Sequence, residues 1–168
     1  MHFFFKYLIF LWNSSNQHGV HSPFVYAFVT QCLYKKMDAT KSTKSIAVLR
    51  KCKSYFRTEA IKIYTENELI KKKLAKELDW NTSLQPPYDL IYIDASALHH
   101  SKAIILRNEE MHNNTLVLLS DIYRTKESQH HWEMAKALPA ITVTVDLFYC
   151  GLLFFRKEQL KEHFKIRI

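Results

Sequence analysis

An α/β fold is predicted by three observations. Leu90-Ile91-Tyr92-Ile93 is an uninterrupted apolar, β-prone run between Pro87 and Asp94, the pattern of a strand covered on both faces, and Thr115 to Leu119 repeats it. Segments with helical apolar spacing precede and separate these runs. Ile141 to Phe148 and Leu152 to Phe155 are further strands, joined through Tyr149, Cys150 and Gly151. So short a link forces an antiparallel pair, because a parallel pair needs a crossover of about a dozen residues or more. With 168 residues, 48% hydrophobic and 24% charged, the chain suits a single globular domain over 1–168, made of an N-terminal helical extension (1–34), a basic segment (35–84) and an α/β half (85–168).

The elements follow in order. Phe3 to Trp12 is too short for a bilayer span, which takes ~20 apolar residues, and it lacks the basic flank and cleavage site of a signal peptide. It reads as an amphipathic helix buried on the domain, with no membrane role. Asn13 to Gly19 is a polar break. Ser22-Pro23 supplies an N-cap and a first-turn proline, and Phe24, Val25, Phe28, Val29 and Cys32 give residues 23–34 one apolar helical face. Lys35 to Lys44 reads as a linker, Ile46 to Phe56 as a short helix or strand, and Ala60 to Thr65 as a strand with Ile61 and Ile63 on one face. Glu68 to Leu78 is helical, and Asn81 to Pro87 breaks the chain before the central strand. After it, Ala95 to His100 reads as a loop and Ser101 to Met111 as a helix. Thr125 caps a helix carrying Trp132, Ala135 and Leu138 that stops at Pro139, and Lys157 to Phe164 reads as a closing helix.

The charge is unevenly spread. Residues 35–76 hold 13 of the 24 Lys and Arg against 4 acids, so the whole net charge of +8 comes from this segment. Such a concentration is the footprint of an anionic partner or RNA, with Lys71, Lys72 and Lys73 as its densest part, or else a solvated lysine-rich helix. Cys32, Cys52 and Cys150 form no CxxC and no even set, which fits a reducing, cytoplasmic setting. No metal set is indicated: His18 and His21 lack a third ligand nearby, His130 and His131 diverge on a helix, and the acids at the strand ends are too few for a hard cation.

Candidate chemistry gathers where the buried strands end. Ligands of open α/β sheets bind beyond the carboxyl ends of the strands, and Asp94 and Asp121 both arrive there, with His99 and His100 close by. Asp94 is either a functional acid or the N-cap of the following turn.

YDLIYIDA followed by His99, TLVLLSD, and ITVTVDLFYCGLLFFRKEQLKEHF resemble the fourth strand, the fifth strand and the closing antiparallel pair of class I S-adenosylmethionine-dependent methyltransferases. NQHGVHSPFVYAFV is similar to the helical N-terminal extension of one bacterial branch of that superfamily. The resemblance implies a Rossmann-like methyltransferase sheet, S-adenosylmethionine as cofactor, a methyl acceptor, and Asp94, Asp121 and His99 as catalytic or orienting groups. Ile61 to Tyr64 followed by Glu66 is similar to the family's second strand and its ribose-binding acid. One departure stands out. The family cradles its cofactor with a glycine-rich turn after the first strand, whereas Gly19 and Gly151 are the two glycines here and neither follows such a strand. The expected fold is therefore a reduced Rossmann-like sheet with a C-terminal antiparallel strand pair.

Two function classes follow. One is a methyltransferase-like protein with a reduced or lost cofactor site. The other is a noncatalytic module that binds an anionic partner or RNA through 35–76. Shortening also threatens to leave Leu90 to Ile93 on an open edge, to be covered by Ile61 to Tyr64 in a monomer or by a second copy in an edge-paired homodimer.

Overall fold

The computed structural model describes residues 2–36, 43–78 and 85–168. Its strands are β1 (Ile61–Tyr64), β2 (Tyr88–Ile93), β3 (Met111–Ser120), β4 (Val143–Asp146), β5 (Cys150–Phe154) and β6 (Glu162–Lys165). They form one mixed sheet in the order β1-β2-β3-β5-β4-β6. The first three are parallel, β5 runs antiparallel to both β3 and β4, and β6 is parallel to β4. The helices are α1 (His2–Asn13), α2 (Pro23–Phe28, continued by a π-helical turn at Val29–Leu33), α3 (Lys44–Phe56), α4 (Glu68–Leu78), α5 (Ser101–Ile105) and α6 (Lys126–Ala137).

Period-2 alternation decides which helices cover which face. Leu90 and Tyr92 of β2, with Leu116, Leu118, Leu152 and Phe154, share a buried cluster with residues of α2, α3 and α4. Ile91 and Ile93, with Val117, Leu119 and Leu153, point the other way into a cluster with Leu98, Ile104, Ile105 and Trp132, from the segment after β2 and from α5 and α6. Both faces of β2 are dry, which is why its sequence is apolar throughout.

Side-chain caps start three of the helices, two of them, at Ser22 and Thr125, where the sequence places them. Ser22 Oγ accepts the Val25 N–H at 3.4 Å, Thr43 Oγ1 that of Ile46 at 3.4 Å, and Thr125 Oγ1 that of Ser128 at 3.0 Å. Residues 46–56 are helical rather than extended, because Thr43 caps them and Ile46, Leu49 and Cys52 bury one stripe. The N-terminal part of the break expected at Asn81 to Pro87, and most of the linker expected at Lys35 to Lys44, lie outside the described residues.

Four expectations are corrected. Ala95–His100 is a 3-10 helix instead of a loop, because Asp94 caps it. The helix expected over Ser101 to Met111 ends at Ile105, and Met111 opens the ten-residue β3. Lys157 to Phe164 does not close the chain as a helix. Turns lead into β6, whose Phe164, like Ile166 just beyond it, packs on the core while exposed His163 and Lys165 alternate with them along the free side of β4. Helix α1 is buried on one side alone. Phe3, Tyr7 and Phe10 meet Phe148 at ring centroid distances of 5.0, 4.9 and 5.4 Å, whereas Phe4, Phe5, Ile9 and Trp12 are exposed, Trp12 by 90%.

The edge of β2 is covered within the chain. Ile61, Lys62, Ile63 and Tyr64 pair with Leu90, Ile91, Tyr92 and Ile93. Asp89 locks this pairing: its Oδ2 accepts the N–H groups of Glu59 and Ala60, both at 2.9 Å, and its Oδ1 lies 3.1 Å from His112 Nε2 of β3. Burial pushes the Asp89 carboxyl up, but the two amides and His112 outweigh it and hold it below the usual range.

Candidate functional site

Asp94 leaves β2 at the carboxyl end of the parallel strands and is buried. Its backbone N–H donates to Tyr64 O of β1 at 2.9 Å. Its carboxylate accepts the Ser96 N–H at 3.2 Å and three hydroxyls: Ser96 at 2.8 Å, Thr65 at 3.3 Å and Ser120 at 3.3 Å. Each of these hydroxyls in turn accepts a backbone N–H, Ser96 from Glu66 at 3.0 Å, Thr65 from Asn67 at 3.1 Å and Ser120 from Ala95 at 3.2 Å. The polarity is uniform, with amides donating to hydroxyls and hydroxyls donating to one carboxylate. Asp94 thereby ties the ends of β1, β2 and β3 together.

Asp121 follows β3 in a left-handed conformation, φ 53°, and its N–H donates to Tyr149 O at 2.7 Å. Its side chain is partly exposed, 3.9 Å from Arg124 Nη1. Burial pushes the Asp121 carboxyl up, Arg124 pulls it down, and nearby Asp94 adds to the rise. His99 comes from the other end of the 3-10 helix: its Nε2 lies 3.6 Å from Glu66 Oε1, and its ring lies 3.9 Å, centroid to centroid, from that of His100. The fold thus brings Asp94 near Asp121, and Glu66 to His99, as two neighbouring pairs. Asp146, which no sequence pattern marks, is a second buried acid with internal partners: it accepts the Tyr123 hydroxyl at 2.6 Å and the Phe148 N–H at 2.9 Å.

A second surface lies beside α3. One recess of about 530 Å³ is lined by Lys35, Lys36, Lys44, Lys51 and Arg167 over an apolar floor that includes Leu33 and Val48. Its neighbour, about 470 Å³, shares Lys35, Lys36 and Lys51 and adds Arg50 and Arg57. No Asp or Glu side chain among the described residues lines either one. Tyr34 borders the first and Tyr55 the second, so two of the few aromatics near the basic segment line the same surface as its lysines. The shared lysines make one continuous basic groove.

Comparison of the chain with protein-family models, curated proteins and solved structures gives no match.

The two surfaces have different chemical capacities. At the strand ends the hydroxyls and the central carboxylate are already bonded to one another, which suits them to hold the loops. The groove gathers positive charge with no Asp or Glu side chain in its lining among the described residues. Lys71, Lys72 and Lys73, the densest basic run in sequence, line neither recess: Lys71 pairs with Glu68 at 3.5 Å on α4. Arg167 joins Lys35 and Lys36 because Ser15 bridges to Ile166, and Tyr34 OH donates to Arg167 O at 3.2 Å. A contact so distant in sequence leaves no local pattern to read.

Proposed function

We propose that this chain is a noncatalytic binding module of methyltransferase-like ancestry that takes a phosphate-bearing polyanion, single-stranded RNA in particular, along the groove beside α3. The observation that carries this reading is the convergence of Lys35, Lys36, Lys44, Lys51, Arg57 and Arg167 on one groove with no lining acid among the described residues. Phosphates release counterions from such a surface, and Tyr34 and Tyr55 offer faces for bases.

The ancestry rests on strand order. In the methyltransferase sheet the fourth strand lies between the first and the fifth, and β2 lies between β1 and β3. By that reading β1 stands in for the first strand, so Glu66 does not correspond to the ribose-binding acid after the second. The residues following β1 do not fit adenosylmethionine. Where a glycine turn would open its amides to the cofactor, Thr65-Glu66-Asn67 carries side chains, and the N–H groups of Glu66 and Asn67 are engaged by Ser96 and Thr65. Asp94, with four internal donors, acts here as a brace.

A fluorescently labelled oligouridylate should bind at low salt, with an affinity that falls steeply as salt is raised. Replacing Lys35, Lys36 and Arg167 together by Gln should flatten the slope of log affinity against log salt by about 2, at ~0.7 per lost phosphate contact. The same change at Lys71, Lys72 and Lys73 should leave it within about 0.7 of wild type. Absence of binding at low salt would overturn the reading.

Adenosylmethionine titrated calorimetrically should give no saturable heat. A Kd of about 1 μM or tighter, roughly −8.2 kcal/mol, would restore the enzymatic reading.

A further inference from the structure

Glu66, His99 and His100 lie at the strand ends, and none of them lines the basic groove. Their candidate ligand atoms, one carboxylate oxygen and two imidazole nitrogens, all fall within 4.8 Å of one another. The 3.6 Å between Glu66 Oε1 and His99 Nε2 is close to the edge of a tetrahedron with metal bonds of about 2.1 Å, roughly 3.4 Å. All three side chains are exposed, so the small rotations that would finish the convergence meet no packing.

The backbone beneath them is fixed. The Glu66 N–H donates to Ser96 Oγ at 3.0 Å, and Ser96 Oγ donates to Asp94 at 2.8 Å. On the far side of Glu66, the Asn67 side chain caps α4 by accepting the Leu69 N–H at 3.0 Å. The turn bearing Glu66 is therefore fastened to the 3-10 helix bearing the two histidines. The arginines that share recesses with these residues are paired: Arg107, beside Glu66 and His100, is 3.2 Å from Glu110, and Arg124, beside His99, is 3.9 Å from Asp121.

We infer that Glu66, His99 and His100 form a binding site for a late first-row divalent cation, Zn2+ foremost. Two imidazoles and one carboxylate suit Zn2+, Ni2+ or Cu2+, whereas Mg2+ and Ca2+ require more oxygen ligands than this site offers. Asp94 and Ser96 position the site without touching the ion, which gives the buried carboxylate a task beyond holding strands together.

Calorimetric titration of the chelator-stripped full chain with Zn2+ alone tests the site. The expected result is one ion per chain with a Kd of about 10 μM. Glu66→Gln and His99→Ala should each weaken binding about tenfold or more through loss of a ligand, and Ser96→Ala about tenfold through loss of the anchor. Replacing both His130 and His131 by Ala should leave the affinity unchanged. A Kd weaker than about 100 μM, or a site that survives both Glu66→Gln and His99→Ala, would overturn the inference. Binding that vanishes with His130 and His131 would assign the ion to α6 and overturn it equally.

Discussion

Asp94→Ala should lower the unfolding free energy by about 3–4 kcal/mol, a large part of the ~5–15 kcal/mol that holds a domain of this kind together. The loss exceeds that of one hydrogen bond because four donors converge on this carboxylate: the Ser96 N–H and the hydroxyls of Ser96, Thr65 and Ser120. Asp94 is 4% exposed, so water does not replace the missing acceptor without opening the strand ends. Asp94→Asn should fall between alanine and wild type, because an amide keeps one acceptor but turns N–H groups toward existing donors. Asp121→Asn is the contrasting change. Asn tolerates the left-handed backbone at φ 53°, and the side chain is partly exposed, so the effect should stay within about 0.5 kcal/mol. Urea midpoints measured on the three variants decide the matter: a wild-type midpoint for Asp94→Ala would mean that the brace does not exist.

Gly151→Ala should cost about 3 kcal/mol and lower the melting temperature by roughly 6–12 °C. A Cβ built on Gly151 would lie 2.4 Å from Cζ3 of Trp132 and 2.7 Å from two further ring atoms. Trp132 is fully buried under α6, and Gly151 pairs in the sheet with Leu119 on one side and Asp146 on the other, so neither has room to withdraw. The backbone here has ordinary dihedrals, so the requirement for glycine is one of space, not of φ. Trp132→Leu removes the obstructing ring and on its own leaves a cavity. Combined with Gly151→Ala it should cost less than the two single losses added together, a coupling of about 1–3 kcal/mol. Additive losses in thermal melts would mean that the ring contact is not what reserves the position for glycine.

Much of the fold was legible because local and tertiary preferences agreed. Leu90 to Ile93 reads as a doubly covered strand and is one. Glu68 to Leu78 reads as a helix with Leu69, Leu74 and Leu78 set against Lys71, Lys72, Lys73 and Lys76; its bounds match the helix and Leu74 and Leu78 are buried, but Leu69 in the first turn is exposed. Legibility failed where a neighbour decided the outcome. In Lys157 to Phe164, Leu160 and Phe164 have helical spacing, yet β4 has an unpaired side, and the alternation around Phe164 and Ile166 serves it better as a strand. The site was half legible. Position marked Asp94 as either a cap or an acid, but no spacing announces that Thr65, Ser96 and Ser120 will bring their hydroxyls to it. Nor does any spacing bring Arg167 to Lys35, or Glu66 to His99.

The burial of the three cysteines has a chemical consequence. Cys32, Cys52 and Cys150 sit in the π-helical turn, in α3 and in β5, all without disulfides. Burial pushes the Cys52 and Cys150 thiols well above their ordinary range, so in the closed molecule neither offers a thiolate or access for a reagent. Reaction waits on local opening. All three thiols lie in the one core cluster that α2, α3 and α4 build against the sheet, and thus act as a built-in clock that ticks at the rate at which that layer comes apart.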